Sequence, residues 1–510
     1  MPCRKREEEH RLKAKNDMNQ SNGSQDELVL LQQETMRQKV FSWLFGNKVM
    51  LLFLIICIGG VWVSGNSVGF VVENVAVRFG RNAFTVMSLL IPVLAGLGLN
   101  FSIVIGAIAA QVGLFFAVDW GFSGIIGMLI AFLIATPLAS LFGFGVGRLF
   151  NKMKGSEMIA GLILGYFADG LYQLFFLYIL GGVLPVRTTS LIIPGGIGIK
   201  NTIDLTGNMK YALDGVKLVD IVMIFFIIVA VVCAFRIITK IRNKDKSLLK
   251  DVIILLVAAL VYGLSYVPQI ESALMTNSLS LLNVLVIVTV GVIVYAVAKL
   301  IGNWRNADSK FKKARYVAII IAAIVVYALT YIPELEKVLM TSKVPALPLA
   351  LIAGLSLFNA AFLSTRIGQN MRTVGQSRVI ANASGINVDR VRILAMIIST
   401  VLASWGQLIY LQNLGTFATY GAHLQVGQFA IAALLVGGAS VSKATNKQAI
   451  TGVLLFHTLF IVAPEAGKVL FNNAMIGEYF RVFVSYGVIA LALAMHAWQR
   501  KKKPAVEMPA

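Results

Sequence analysis

Asp169 stands near the middle of an apolar run, Glu157 to Leu180, with Tyr172 and Gln173 one turn further along the same helical face. A carboxylate at that depth must face protein or a water-filled path and must find a partner, because an isolated charge in an apolar medium is expensive. Two readings follow from the residues: contact with a polar solute, or a hydrogen bond that ties helices together. The same two readings apply to Asn100, Gln111, Gln407, Gln412 and Asn413, which also interrupt apolar stretches. Asn283 and Asn359 read as helix-to-helix ties. Phe167, Tyr172, Phe175 and Phe176 read as packing against helices or lipid, with stacking on a planar ligand as the alternative.

Chemistry of other kinds has little to work with. No GxxxxGK[ST] phosphate loop occurs, so the chain cannot cradle ATP phosphates with backbone amides and a lysine. His10, His423, His457 and His496 are scattered without metal-ligand spacing, and no nucleophile with an adjacent base is evident. Cys3, Cys57 and Cys233 lie far apart, which indicates neither a disulfide framework nor a metal site. The expectation is a chain without catalytic residues, bound metal or cofactor of its own.

The elements that hold these residues are set by composition. Of 510 residues, 57% are hydrophobic and 14% charged, with a mean hydropathy of +0.79, far from the balance of soluble domains. Apolar runs long enough to cross a hydrocarbon layer of roughly 30 Å recur after about residue 48. Lipid cannot satisfy backbone polar groups, and the runs do not alternate as barrel strands do, so they must be helices. The net charge of +21 sits in short links between runs rather than on one face, which argues for membrane topology and against nucleic acid.

Basic links placed on the cytoplasmic side give about fourteen crossings of a plasma (inner) membrane, with both termini cytoplasmic. Residues 1–47 form a polar arm too long for a signal-peptide n-region. Glu73, Arg78 and Arg81 are expected in a short outer segment, the apolar region from Phe84 to Val118 breaks near Gly98, Asn100 and Ser102, and Val183 to Lys217 is a Pro/Gly-rich outer loop.

The chain also repeats itself. Val252 to Thr276 matches Val317 to Thr341 through Tyr262/Tyr327, Tyr266/Tyr331, Pro268/Pro333, Glu271/Glu336 and a closing LMT, at a period of about 65 residues. Helices starting at Leu218, Leu282 and Leu347 look like three copies of one inward-running element. Each repeat adds two crossings, so downstream topology is preserved.

Gly368 to Val388 is long, polar and glycine-punctuated where other links are brief. Thr373 to Asn382 is expected to form a short helix across the membrane face, with Gly375 and Gly385 supplying the turns. The segment resembles the coupling loop of ABC importer permeases in the ribose, branched-chain amino acid and nucleoside group, in MRTVG (Met371 to Gly375) and SGINV (Ser384 to Val388). GLGLNFSIVIGAIAAQ (Gly96 to Gln111) is similar to the broken segment of the family's first half, and EMIAGLILGYFA (Glu157 to Ala168) to a helix start in its nucleoside-type branch.

The resemblance implies an all-α polytopic permease: a ten-helix core plus an inserted four-helix tandem repeat. Its parts are an arm at 1–47, halves at 48–238 and 346–498, repeats at 239–345 and a cytoplasmic tail at 499–510. It further implies that Met371, Arg372, Gly375, Ser384, Gly385, Ile386 and Asn387 couple to ABC ATPase subunits, which burn the ATP. The other implied partners are a second permease, identical or paralogous, and an extracytoplasmic solute-binding protein; the cargo is a sugar, nucleoside or similar polar molecule. The chain departs from the family at ASVSKATNKQ after Gly437 and Gly438, normally a glycine-rich turn, and at Ser377, Val379 and Ile380, where asparagine and small residues are usual. An ion-coupled secondary transporter and a non-transporting membrane scaffold are the rival readings.

Overall fold

The computed structural model describes Leu44 and residues 47–242, 249–302 and 310–502. The polar arm, apart from Leu44 and Asn47, and the tail beyond 502 lie outside the described residues. The first half comprises α1 (Lys48–Ser64), α2 (Val68–Ser88) with its continuation α3 (Leu90–Leu94), α4 (Ile103–Asp119), α5 (Gly124–Lys152) and α6 (Glu157–Leu174). A π-turn over Phe175–Ile179 ends α6, and the strand β1 (Thr202–Asp204) lies in the following loop.

Glu73, Arg78 and Arg81 are not in a loop, as expected above, but inside α2. Ser67 starts the helix by accepting the Phe70 N–H (3.3 Å), and Arg81 finds a partner in Asn413 Oδ1 (2.8 Å), so the charges do not force the chain out of helix. The break before α4 falls where expected: Gly96 (φ +72°) and Gly98 (φ +77°) adopt left-handed backbone that other residues avoid.

The duplicated region repeats in space as in sequence. α7 (Leu218–Arg242) pairs with α8 (Leu249–Leu264), which bends by 87° into α9 (Pro268–Leu274). α10 (Leu281–Gly302) pairs with α11 (Lys310–Leu329), which bends by 88° into α12 (Pro333–Thr341). Each bend is built alike: a Tyr–Tyr hydroxyl pair (Tyr262/Tyr266, 2.5 Å; Tyr327/Tyr331, 2.8 Å), a hydroxyl bonded back to the first tyrosine's carbonyl (Ser265, Thr330), and proline opening the second helix. β2 (Ser278–Ser280) and β3 (Lys343–Pro345), the exits of the two repeats, pair antiparallel. Near the end of α7, Lys240 lies 2.6 Å and Arg236 4.0 Å from Asp251 of α8.

The second half follows as α13 (Ala346–Phe362), α14 (Arg366–Gln376), α15 (Arg378–Ala383), α16 (Val388–Leu414), β4 (Thr416–Ala418), α17 (Ala422–Val436), α18 (Asn446–Phe471) and α19 (Ala474–Lys502). α16 is the centre of the bundle and packs on α2, α4 and α5. Small residues permit the approach: a Cβ on Gly106 of α4 would lie 2.6 Å from the Thr400 carbonyl, and one on Gly147 of α5 2.8 Å from Ile393 Cα. β4 pairs antiparallel with β1, joining the loop after α6 to the α16–α17 connection.

Among the described residues, fourteen helices have 15 residues or more. Among the described residues, seven helices are long and apolar enough to span on their own, and three bent pairs bring the number to 10. The chain is a polytopic α-helical membrane protein.

Candidate functional site

The linker between α13 and α16 is a folded elbow. Thr365 caps α14 by accepting the Gly368 N–H (3.2 Å), and Gly368, Met371 and Val374, three residues apart, form its buried face. The single helix expected over Thr373 to Asn382 is instead two. Ser377 takes up extended backbone (φ −157°) and caps α15 by accepting the Ile380 N–H (3.3 Å), because its hydroxyl serves a new helix start better than a helix interior. Gly375 therefore makes no turn: a Cβ there would lie 2.1 Å from the Leu94 carbonyl, so the glycine lets α14 rest on the end of α3. Gly385 does turn (φ +75°), and Asn387 caps α16 through the Arg390 N–H (3.0 Å). Val374, Ala381 and Val388 bury together, with Ile386 and Val391 against them.

A buried ion cluster pins this elbow to the first half. Glu157, 5% exposed at the start of α6, takes Arg378 Nη2 at 2.5 Å and Arg392 Nη2 at 2.6 Å on one oxygen, while its other oxygen accepts the Gly155 N–H (2.9 Å). Arg378 also donates to the Gly96 carbonyl (3.3 Å) and Arg392 to the Phe150 carbonyl (3.2 Å). Arg392 is wholly buried, which only a carboxylate in contact makes tolerable.

The seven residues expected to couple divide by direction. Met371 is buried, Gly375 touches backbone and Ile386 packs on the inner cluster, whereas Arg372, Ser384, Gly385 and Asn387 are exposed. Sequence reasoning passed over Val379 and Ile380, which stand 65% and 61% exposed on α15 beside those polar groups. Their signal was present as departures from the family pattern. The other divergent turn, after Gly438, is closed by a Ser440–Lys443 bridge and by Gln448 Nε2 donating to the Gly438 carbonyl (2.7 Å).

Within the bundle, Asp169 accepts from Gln173 Nε2 (3.0 Å) and lies 2.7 Å from His423 Nε2 on α17. The Tyr172 hydroxyl donates to the Thr419 carbonyl (2.9 Å), and its ring meets His423 edge-on at 4.8 Å. Tyr172 packs on Phe176 and Phe176 on Phe115, while Phe167 faces outward. Asn359 ties α13 to Asn446 of α18 (3.3 Å), as expected; Asn283 is exposed instead, so the expected tie is not formed there.

Asn100 is used up by Ser102 (2.5 Å) and Ser399 (3.3 Å). Gln111 and Gln407 differ: both are fully buried, and neither side-chain oxygen nor nitrogen of either has a partner among the described residues. Ser404 Oγ and Thr85 Oγ1 are in the same condition. Gly106 of α4 lies against Thr400 to Ser404 of α16, and Asn100 against Ser399 further back, so the two helices run in the same direction. Gln111 and Gln407 thus stand at the same height, roughly one and a half turns beyond that contact. Buried amides of this kind call for water or a ligand.

Gln412 and Asn413, by contrast, close the opposite end of the bundle from the elbow. Gln412 Nε2 and Asn413 Nδ2 donate to the two oxygens of Asp214 (2.7 and 2.6 Å), and Gln412 also receives the Tyr211 and Leu213 N–H groups. Burial pushes the Asp214 carboxyl above its ordinary range, and the two amide donors and Arg81 pull it part of the way back.

These features define a membrane bundle with buried polar groups in its middle, a stitched loop at one end and a pinned amphipathic elbow at the other. A family model described as the permease component of the branched-chain amino acid transport system matches residues 212–493, more than half of the chain and including the repeats. The chain belongs to that permease family. No curated protein and no solved structure matches it.

Proposed function

We propose that the chain is the membrane subunit of an ATP-driven importer, with α14–α15 as the seat of a separate ABC ATPase. The observation that carries this reading is the elbow: an apolar tip, Val379 and Ile380, held rigidly outward while its root is fixed to α3, α6 and α16 through Gly375 and Glu157. A protrusion so anchored transmits a push into the bundle instead of folding away from it. The elbow side is then cytoplasmic, and all fourteen helices span if the three shorter apolar helices and α19 cross as well. Orphaned Gln111 and Gln407 offer uncharged donors and acceptors to a neutral polar solute such as a sugar or nucleoside, the cargo of the nucleoside-type branch. A second permease, identical or paralogous, and an extracytoplasmic solute-binding protein complete the system.

The test is association with the ATPase. Co-expressed ATPase should co-purify with the native chain and be lost from a Val379→Asp, Ile380→Asp double variant whose melting temperature is unchanged. Retention by that variant removes α15 as the seat. Partly buried Asp169 against His423 supports the rival ion-coupled carrier, which would fill vesicles with solute in the absence of any ATPase.

A further inference from the structure

The half of the bundle away from the elbow holds more positive charge than it neutralises. Arg78 and Arg81 lie three residues apart on one face of α2. Arg481 enters the same region from α19, its Nη1 donating to the Phe460 carbonyl (3.3 Å) and its guanidinium 4.6 Å from the Phe460 ring. Arg81 is engaged by the neutral Asn413 and lies 5.8 Å from the Tyr410 ring. The Arg78 guanidinium has no hydrogen bond or ion pair among the described residues, and its electrostatic neighbours are Arg81, Arg481, Tyr410 and Glu478. Of the carboxylates in reach, Glu478 is bound to Arg481 and Asp214 to two amides.

A second, independent observation marks the gap. His457 on α18 is 4% exposed, its Nδ1 has no partner among the described residues, and the charged groups around it are Arg78 and Arg81. Arg481 Nε is likewise buried without a partner. Guanidinium groups that share one partly buried region, Arg78 among them without a partner, repel one another more strongly than they would in water. An oxyanion can cancel that repulsion, through short charge-assisted bonds to the planar guanidinium forks.

We propose that Arg78, Arg81, His457 and Arg481 form a binding site for a small oxyanion, a phosphate or carboxylate carried by a solute or by a lipid headgroup. This assignment goes beyond the permease reading and does not need it, since it is tested by binding alone. Full-length protein in neutral detergent is melted at matched ionic strength in chloride, inorganic phosphate or acetate, and again in nanodiscs of phosphatidylcholine with or without phosphatidylglycerol.

Phosphate or acetate raising the melting temperature by several degrees over chloride identifies a soluble oxyanion; a rise only with phosphatidylglycerol identifies a lipid headgroup. Arg78→Gln should weaken the effective anion by about tenfold or more, equivalent to losing one charge-assisted bond of about 1.5–3 kcal/mol. Arg78→Lys, which keeps the charge but not the fork, should fall between, and stands in should the glutamine variant not fold. Arg187→Gln, exposed in the loop after α6, should respond as the native chain does. No stabilisation by any of the three anions, or equal stabilisation of the native and Arg78 variants, overturns the assignment.

Discussion

Glu157 is the residue on which the elbow depends. It is the only carboxylate in contact with Arg378 and Arg392 among the described residues, and Arg392 has no exposure to water. Glu157→Gln leaves that guanidinium buried and unneutralised, so a loss of about 3–5 kcal/mol is expected, read as a lowered melting temperature in detergent. Replacing Arg392 by Met at the same time should recover much of the loss, since an uncharged side chain needs no counter-ion. Asp214 gives a pH test at the other end of the bundle. Its carboxyl is raised above the ordinary value near 3.8, so the folded chain holds that proton more tightly than the unfolded chain. Its contribution to stability is complete below the unfolded value and is lost as pH rises through the raised one. The slope should show as a pH-dependent melting temperature that flattens in Asp214→Asn; an unchanged slope would mean that another group titrates. Neither cluster could be read from the sequence, because Glu157 meets Arg378 and Arg392 across 221 and 235 residues and Asp214 meets Gln412 and Asn413 across 198 and 199.

At the scale of elements, what was legible is what lipid dictates. Apolar runs must be helices in a bilayer, so the helices and the duplication stood in the sequence; the shared tyrosines and prolines were visible there, but the sharp bends they make at Pro268 and Pro333 were not. Charge misled where a helix is sheltered by its neighbours: α2 carries Glu73, Arg78 and Arg81 yet continues, because Asn413 and Tyr410 of α16 receive Arg81. Gly375 was marked as a turn and is a packing contact, a distinction set by Leu94, which sequence spacing does not reveal. Gly375→Val puts branched carbon into the Leu94 carbonyl and should lift α14 off α3. With insertion unaffected, the expected result is an ATPase that hydrolyses without driving uptake, measured as ATP turned over per solute imported. Gly385→Ala meets no neighbour and bears only the strain of positive φ, about 1–2 kcal/mol, so its effect on coupling should be the smaller of the two.

For the whole molecule, the repeats pose a question of dependence. α7 and α10 face almost entirely away from protein, and each is paired chiefly with its own hairpin partner, so the insert adds little to the core around α16. Its exits are bonded from Leu218 N–H to the Thr276 carbonyl and, at the β2–β3 pair, from Leu281 N–H to the Ser342 carbonyl and from Ala346 N–H to the Asn277 carbonyl, and Val338 of α12 lies against Gly69 of α2. These junctions have the same form because the repeats do, so one copy can stand where two stood. Removing residues 277–341, one period, joins Thr276 to Ser342 and takes out β2, α10, α11 and α12 together. Two crossings leave, the orientation of everything downstream is kept, and α13 still enters along α2, where Val344 and Pro348 lie against Gly80. The shortened chain should insert, keep Arg372 and Asn387 on the same side by cysteine labelling, and lose only a modest part of its melting temperature. Inversion of those labels, or failure to insert, would show instead that the second hairpin holds part of the permease core.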